Sequence, residues 1–344
     1  MPTKRKGGKQ VEMKLDKQTM QRNMVVRIAK MYYYDGMSQQ EIADEMQISR
    51  SNVSRILKIA RDMGIVDIRI NDASVRSFMI QEQLKGKFGL KEMVIAPSNN
   101  DPEVNVANIG FYAARHLEKI LRDNMKVGVT WGSSIYHMLS SLMPIVRTNI
   151  DVVQMMGSAS WSDAYKYGVQ LIFEFSEKIG GRARLLNTPL LLSDKELSDR
   201  LMQEKSVRDH MEMVRAVDIA LIGIGTNEQT RSTMVLSNAI GPEESRTLWE
   251  TGNIAHVCGR PIDSNGNEAE NSLSERLMAV ELEDLKKIPD VVGVAGGPAK
   301  VEPILATLRG GFINTLVTDE KTAVMLDKKV KEDLGETDGY NNLL

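Results

Sequence analysis

Residues 38–63, SQQEIADEMQISRSNVSRILKIARDM, constrain this chain more than any other stretch. They read as two short amphipathic helices joined by a tight turn, the second with a polar, basic free face. That is what a helix needs to enter the major groove of duplex DNA. Ser38 and Glu41 make an S-x-x-E capping box for the first helix, and Ile42, Ala43 and Met46 give it a buried side. Ser49 can cap the second, whose apolar stripe is Val53, Ile56, Leu57 and Ala60. The periodicity predicts an earlier helix from about Gln21 to Tyr34, with Val25, Ile28, Ala29, Tyr32 and Tyr33 on one face. Gly36 suits a left-handed position at its end, and Gly64 stops the third helix. IVDIRI at 65–70 then alternates like a short strand, either a wing or the start of a linker.

The second helix of this pair turns Arg50, Ser51, Asn52, Ser54, Arg55 and Lys58 away from its apolar stripe. Arginine suits guanine and asparagine suits adenine, each through two hydrogen bonds. Lys58, one or two turns on, is better placed for phosphate. Gln39 and Gln40 open the preceding helix, where backbone N–H groups also favour phosphate. A basic helix face taken alone is usually just solvated. Here the capping box, the short turn at 47–48 and the small-polar and basic first turn coincide, and together they favour base reading. Charge placement agrees: residues 1–72 hold 14 Lys/Arg against 9 Asp/Glu, and the other 272 residues hold 30 against 37. A basic head on an acidic body suits a nucleic-acid partner. Residues 1–18, Lys-rich with Gly7 and Gly8 and without periodicity, read as a disordered basic tail.

Several classes are excluded by composition. No run of about 18 apolar residues exists, so no membrane span is expected. MPTKRKGGKQ has no apolar core and does not read as a secretory signal. The single cysteine, Cys258, forbids an internal disulfide and a multi-cysteine metal site, and His116, His137, His210 and His256 lack metal-ligand spacing. The expectation is a cytoplasmic protein with neither metal nor cofactor.

From about residue 90 the pattern becomes strand, loop, helix, repeated. Expected strands are 93–96, 126–130, 152–156, 184–186, 219–224, 254–257, 291–295 and 316–318; expected helices are 103–121, 134–143, 164–180, 195–215, 243–251, 276–287, 301–309 and 320–330. Short apolar strands alternating with helices indicate an α/β fold, with a Rossmann-like, mostly parallel sheet covered on both faces. The chain thus divides into the tail, a helix-turn-helix domain of winged type at 19–72, a linker at 73–90, an effector-binding and oligomerisation domain at 91–335, and a frayed tail at 336–344. In such sheets ligands sit at the carboxyl ends of strands.

Four small-residue loops are expected there. KVGVTWGSS at 126–134 is a strand entering a helix, in which Gly132 permits close backbone approach and Ser133 and Ser134 add hydroxyls at a helix start that attracts anions. VQMMGSAS at 153–160, LIGIGTN at 221–227 and VGVAGGPAK at 292–300 repeat the theme. Each alone could be a plain turn. Lys300 opens a helix, where the dipole mildly disfavours a cation, so pairing with an anionic ligand explains it better than solvation does. Asp263, in GRPIDSNGN, either bonds its own turn or accepts sugar hydroxyls. Trp131 either stacks on a ligand or packs on the neighbouring loop. Arg182 and Arg184 are either anion partners or surface residues.

Taken together the chain resembles the SorC/DeoR family of bacterial sugar-responsive transcriptional regulators. The resemblance covers nearly everything past residue 20. It rests on RIAKMYYYDGMSQQEIADEMQISRSNVSRILKIARDMGIVDIRI at 27–70, VGVTWGSS at 127–134, VDIALIGIGT at 217–226, the GRPIDSNGN turn and GVAGGPAKVEPILATLRGGFINTLVTDEKTA at 293–323. It implies an effector domain related to sugar-phosphate isomerases, a phosphorylated sugar as effector, and dimers or tetramers on operator double-stranded DNA. It further implies that Gly132, Ser133 and Ser134 hold the phosphate, that Asp263 and Lys300 face the sugar, and that Gly157, Ser158, Gly225 and Thr226 line the cavity. The isomerase relatives favour a G-x-G-x-[ST] loop, whereas here bulky Trp131 precedes Gly132. No acid–base pair is evident at an isomerase-like loop. The expectation is therefore a regulator and not an enzyme, the alternative being a sugar-phosphate isomerase with an added nucleic-acid head.

Overall fold

The computed structural model describes residues 22–66, 75–159, 168–269 and 272–335. The chain divides at Asp72 into two units. In the first, helix α1 (22–33) precedes α2 (Gln39–Met46) and α3 (Arg50–Asp62). Ser38 and Glu41 form both halves of the expected capping box, and Ser49 Oγ accepts from the Asn52 amide. Gly36 and Gly64 both lie at positive φ, where they end α1 and α3. Val25, Ile28, Ala29, Met31, Ile42, Ala43, Val53, Ile56, Leu57 and Ala60 make one closed core. Each large aliphatic among them contributes about 1.5–3 kcal/mol by leaving water. Met31 takes the buried place expected of Tyr33, which is exposed. The wing or linker strand falls mostly outside the described residues, as do both tails.

The second unit begins with a helix where a linker was expected: α4 (Val75–Phe88) buries Ile80 and Leu84 one turn apart in the main core. Phe88 packs partly buried on the same core, while Phe78 and Met79 stay exposed, which is why its periodicity is weak. Among the described residues nine strands follow: β1 (Glu92–Ala96), β2 (Lys126–Val129), β3 (Asp151–Gln154), β4 (Arg182–Arg184), β5 (Ile219–Thr226), β6 (Ala255–Val257), β7 (Arg260–Ile262), β8 (Asp290–Val294) and β9 (Thr315–Asp319). Seven form a parallel path in the order β1-β9-β8-β5-β2-β3-β4. β6 and β7 add an antiparallel extension to the far end of β5. Alternate residues of the central strands feed two cores. Ile219 and Leu221 face one, Ala220 and Ile222 the other. That double burial is why these strands read as continuous apolar runs.

On one face lie α5 (Pro102–Ile120), α6 (Ser133–Ser141) and α7 (Val169–Lys178). On the other lie α4, α8 (Lys195–Gln203), α9 (Lys205–Arg215), α13 (Val301–Arg309) and α14 (Glu320–Leu334). Short helices α10 (Thr233–Leu236), α11 (Pro242–Glu250) and α12 (Leu282–Leu285) connect strands.

Two expected helices are corrected. The stretch 195–215 breaks at Glu204, whose ψ of 133° is extended. The stretch 276–287 is helical only towards its end, in α12; the run 277–281 before it is non-helical, because it pairs with other loops: the Met278 amide donates to Leu190 O and the Val280 amide to Met155 O. The helix expected over 164–180 is described from Val169 onward.

Candidate functional site

After β2 the chain moves outward through β3 and β4; after β5 it moves the other way through β8 and β9. The switch point therefore lies between β2 and β5, where ligands bind in open α/β sheets. The four glycine loops follow β8, β5, β2 and β3, which are consecutive neighbours.

At β2 the chain reaches Gly132 with φ 140°, and a Cβ there would meet nothing within 4 Å. Only glycine adopts that backbone readily, and the space beside it is open. α6 starts directly afterwards with no side-chain cap. The first amides of a helix have no carbonyl partner within it, and they carry the positive end of the dipole. Ser133 and Ser134, both partly exposed, add hydroxyls. Trp131 is buried and its Nε1 donates to Gly157 O at 2.9 Å, so the indole packs on the next loop and ties the two together.

Lys300 ends a single 3-10 turn after β8, and its Nζ donates to Ile224 O of β5 at 2.9 Å. Burial of the ammonium pushes it down to about 8. Gly223, one residue before Ile224, donates its amide to Thr130 Oγ1 at the end of β2. The lysine thus reaches β5, the strand that pairs with β2, and α6 starts just after β2.

The turn that delivers Lys300 is set by residues that the sequence reading passed over. Asp319, at the end of β9, is 1% exposed. It accepts from the Gly297 amide at 2.8 Å, from the hydroxyls of Ser98 and Thr322, and from the Thr322 amide. Burial alone would raise its pKa; these donors outweigh it, and the carboxylate sits below its usual range. A Cβ on Gly296 would stand 2.4 Å from Asp319 Oδ2, so glycine is required for the approach. The available signal was Asp319 in TDEKT, an acceptor immediately before a helix with Thr322 three residues on.

The other expected site residues have close protein neighbours. A Cβ on Gly157 would stand 2.4 Å from Pro189 O, and its amide already donates to Met278 O. Ser158 Oγ lies 3.1 Å from Gln154 Nε2, which donates to it. A Cβ on Gly225 would overlap His256 Nε2, and Thr226 is buried with its hydroxyl on Ile254 O. Behind them Asn227 Nδ2 donates to the carbonyls of Asn253 and Ala255, which fixes Asn227 Oδ1 as acceptor. His256 Nδ1 must then carry the proton that reaches Oδ1 at 2.8 Å, leaving Nε2 to accept from Thr233. Burial, with Lys300 nearby, pulls His256 down to about 3, so it stays neutral.

Asp263 is held within its own turn. Its carboxylate accepts from the amides of Asn265 and Asn267 and from Asn267 Nδ2, the turn role foreseen as one of its two readings. Its pKa is lowered: burial works upward, but those hydrogen bonds prevail. Gly266 packs against Ala306 and Gly310, and Arg309 donates to Ser264 O. The turn therefore abuts the far end of α13, about 15 Å from Lys300 by helical rise. Arg182 and Arg184 both pair with Asp151 at 3.1 Å.

On α3, Arg50, Ser51, Ser54, Arg55 and Lys58 are exposed and Asn52 is partly so. Ser49 and Ser51 hydroxyls lie 3.0 Å apart, and Arg55 donates to Asn52 Oδ1 at 3.2 Å. On α2, Gln39 is partly buried and the exposed Gln40 donates to Asp44. Capped short helices with a polar outer face on α3 make a helix-turn-helix. Joined to a doubly wound sheet with a small-residue rim, they define a ligand-responsive transcriptional regulator. Residues 72–326 match the Sugar-bind family model, described as a "putative sugar-binding domain", and residues 27–62 match that of sigma-70 region 4. The chain is 30% identical to the sorbitol operon regulator of Klebsiella pneumoniae over 89% of its own length and 98% of the relative's. It is 28% identical to the deoxyribonucleoside regulator of Bacillus subtilis over 87% and 95%. The crystal structure of full-length SorC from Klebsiella pneumoniae superposes with a TM-score of 0.76 at 29% identity, covering 89% of this chain and 98% of that one. The chain belongs to the SorC/DeoR family of sugar-responsive transcriptional regulators, and its relatives are regulators, not enzymes. Among the described residues no helix is long and apolar enough to cross a membrane.

Proposed function

We propose that this protein is a cytoplasmic homo-oligomer whose grip on operator DNA is set by a phosphorylated sugar held at the carboxyl rim of the sheet. One observation carries the reading: an uncapped helix start and a half-buried lysine occupy adjacent strand ends at the switch point. An oxyanion seated there accepts from the first amides and hydroxyls of α6, at Ser133 and Ser134, and draws Lys300 from Ile224 O. Gly132 leaves the approach open. Relatives named for sorbitol and for deoxyribonucleosides support an effector of sugar type. Arg50 and Asn52 read base edges, with Ser49, Ser51, Ser54 and Arg55 around them; Lys58, Gln39 and Gln40 meet phosphate. Two heads of an oligomer take successive half-sites.

Control requires that the effector bind one arrangement of the heads better than another, since equal binding shifts nothing. The test is DNA binding by fluorescence anisotropy, on sites selected from a random pool, with a panel of sugar phosphates. At least one should change the affinity or the footprint. If none does, the switch is absent.

A further inference from the structure

Among the described residues β4 is one of the two edge strands of the sheet, and it borders a cleft of about 460 Å³ closed on the other side by the first two turns of α9. We propose that this cleft is a second small-molecule site, separate from the glycine-loop rim, for an oxyanion that also carries hydroxyl groups. Its volume falls within the range of small-ligand sites.

Three features set the chemistry. α9 starts without a side-chain cap, and Ser206 and Val207, in its first turn, line the cleft. Their amides lie where a helix has no carbonyl to offer them. Arg184, also lining the cleft, uses Nε on Asp151 and keeps its terminal nitrogens for a second acceptor. His210 is only 4% exposed, and its Nε2–H donates to Gln154 O at 2.7 Å. Nδ1 is therefore a lone-pair acceptor, with no hydrogen-bond partner among the described residues. A cation and open amides take the oxyanion; a buried acceptor takes a hydroxyl. Met213 and Val207 give the floor an apolar part. Asp209 also borders the cleft, but it is ion-paired with Lys205 and adds little repulsion. Pairing of β4 with β3 consumes the backbone groups of Arg182 and Arg184, leaving those of Ala183 directed outward. Gln154 also donates to Ser158, so the cleft lies one side chain from the rim.

The experiment is calorimetric titration of the full chain with glucose 6-phosphate, gluconate, inorganic phosphate and glucose. It is repeated with Arg184→Gln, Ser206→Asp and, to weaken the rim, Lys300→Met. Ser206→Asp places a carboxylate at a helix start, which favours folding while it opposes an anion in the cleft. The expected result is a binding event that Lys300→Met retains and that both cleft variants weaken at least tenfold, with melting temperatures no lower than that of the unsubstituted protein. A response to glucose 6-phosphate alone assigns the cleft to phosphate esters, and one to gluconate alone assigns it to hydroxy acids. Inorganic phosphate should bind more weakly than the better of the two, and glucose not at all. The proposal is overturned if no event survives Lys300→Met, if the cleft variants leave the surviving event intact, or if glucose competes equally.

Discussion

Lys300→Met should make the protein more stable and less responsive at once. In the folded chain the ammonium falls from 10.5 to about 8 through burial. At about 1.4 kcal/mol per unit, holding the charge there costs the fold about 3 kcal/mol at neutral pH. Methionine fills similar space without charge, but it leaves Ile224 O without its donor, at about 1 kcal/mol. The net gain of about 2 kcal/mol corresponds to a rise of about 4–8 °C in melting temperature for a domain of this size. The same change removes a charge-assisted hydrogen bond to the bound anion, about 1.5–3 kcal/mol, and so weakens a sugar phosphate about 10- to 150-fold. Differential scanning fluorimetry gives the first quantity and calorimetry with the panel's best sugar phosphate gives the second. A lower melting temperature together with unchanged affinity would refute the reasoning, because the lysine would then be a structural strut.

Effector affinity should be flat between about pH 7, where the phosphate ester is a dianion, and about pH 8, and fall above it, since the free protein loses the Lys300 proton there and the anion-bound form holds it longer. Stability should rise across the same interval, from about pH 8 towards 10.5, because the unfolded chain binds the proton that the folded one has released. A titration without either trend contradicts the assignment. Gly225→Ala drives a methyl into His256 Nε2 and should cost several kcal/mol by overpacking and by breaking the Asn227–His256–Thr233 chain, seen in a denaturant melt. Asp319→Ala should free the turn at Gly297 and weaken sugar-phosphate binding, with Asp319→Asn intermediate, as measured by calorimetry. Arg50→Ala should relax base preference at one position by about 1–3 kcal/mol, whereas Lys58→Ala should weaken all DNA alike and flatten the salt slope; binding-site selection at two salt concentrations separates them.

The helix-turn-helix was legible almost to the residue, because capping chemistry and a 3.6-residue apolar stripe are local. Ser38, Glu41, Ser49 and Val53 announce their roles without help from the rest of the chain. The parallel sheet was legible too, since strands buried on both faces must be apolar throughout. What failed to show was whatever depends on distant partners. α4 looked like a linker because Phe78 and Met79 are exposed and break the stripe that Ile80, Leu84 and Phe88 turn to the core. The run from Leu277 to Val280 looked helical because its pairing with Leu190 and Met155 is invisible in one dimension. Within the candidate site, Gly132, Ser133 and Lys300 gather at neighbouring strand ends. At Gly157 and Gly225 a Cβ would meet Pro189 and His256, which is enough to require glycine. A glycine in a loop cannot say which neighbour it accommodates. Asp263 could not reveal that its turn rests on the distal end of α13. Asp319 and His256 escaped notice because a cap and a lone histidine carry no motif of their own.

The most direct measurement is the affinity of the full chain for its selected DNA site as each sugar phosphate is added, with Lys300→Met in parallel. The account predicts that at least one compound shifts the wild-type Kd about 5- to 150-fold, the range of ordinary allosteric coupling, and that far more of it is needed in the variant. A wild-type Kd that no sugar phosphate moves would contradict it.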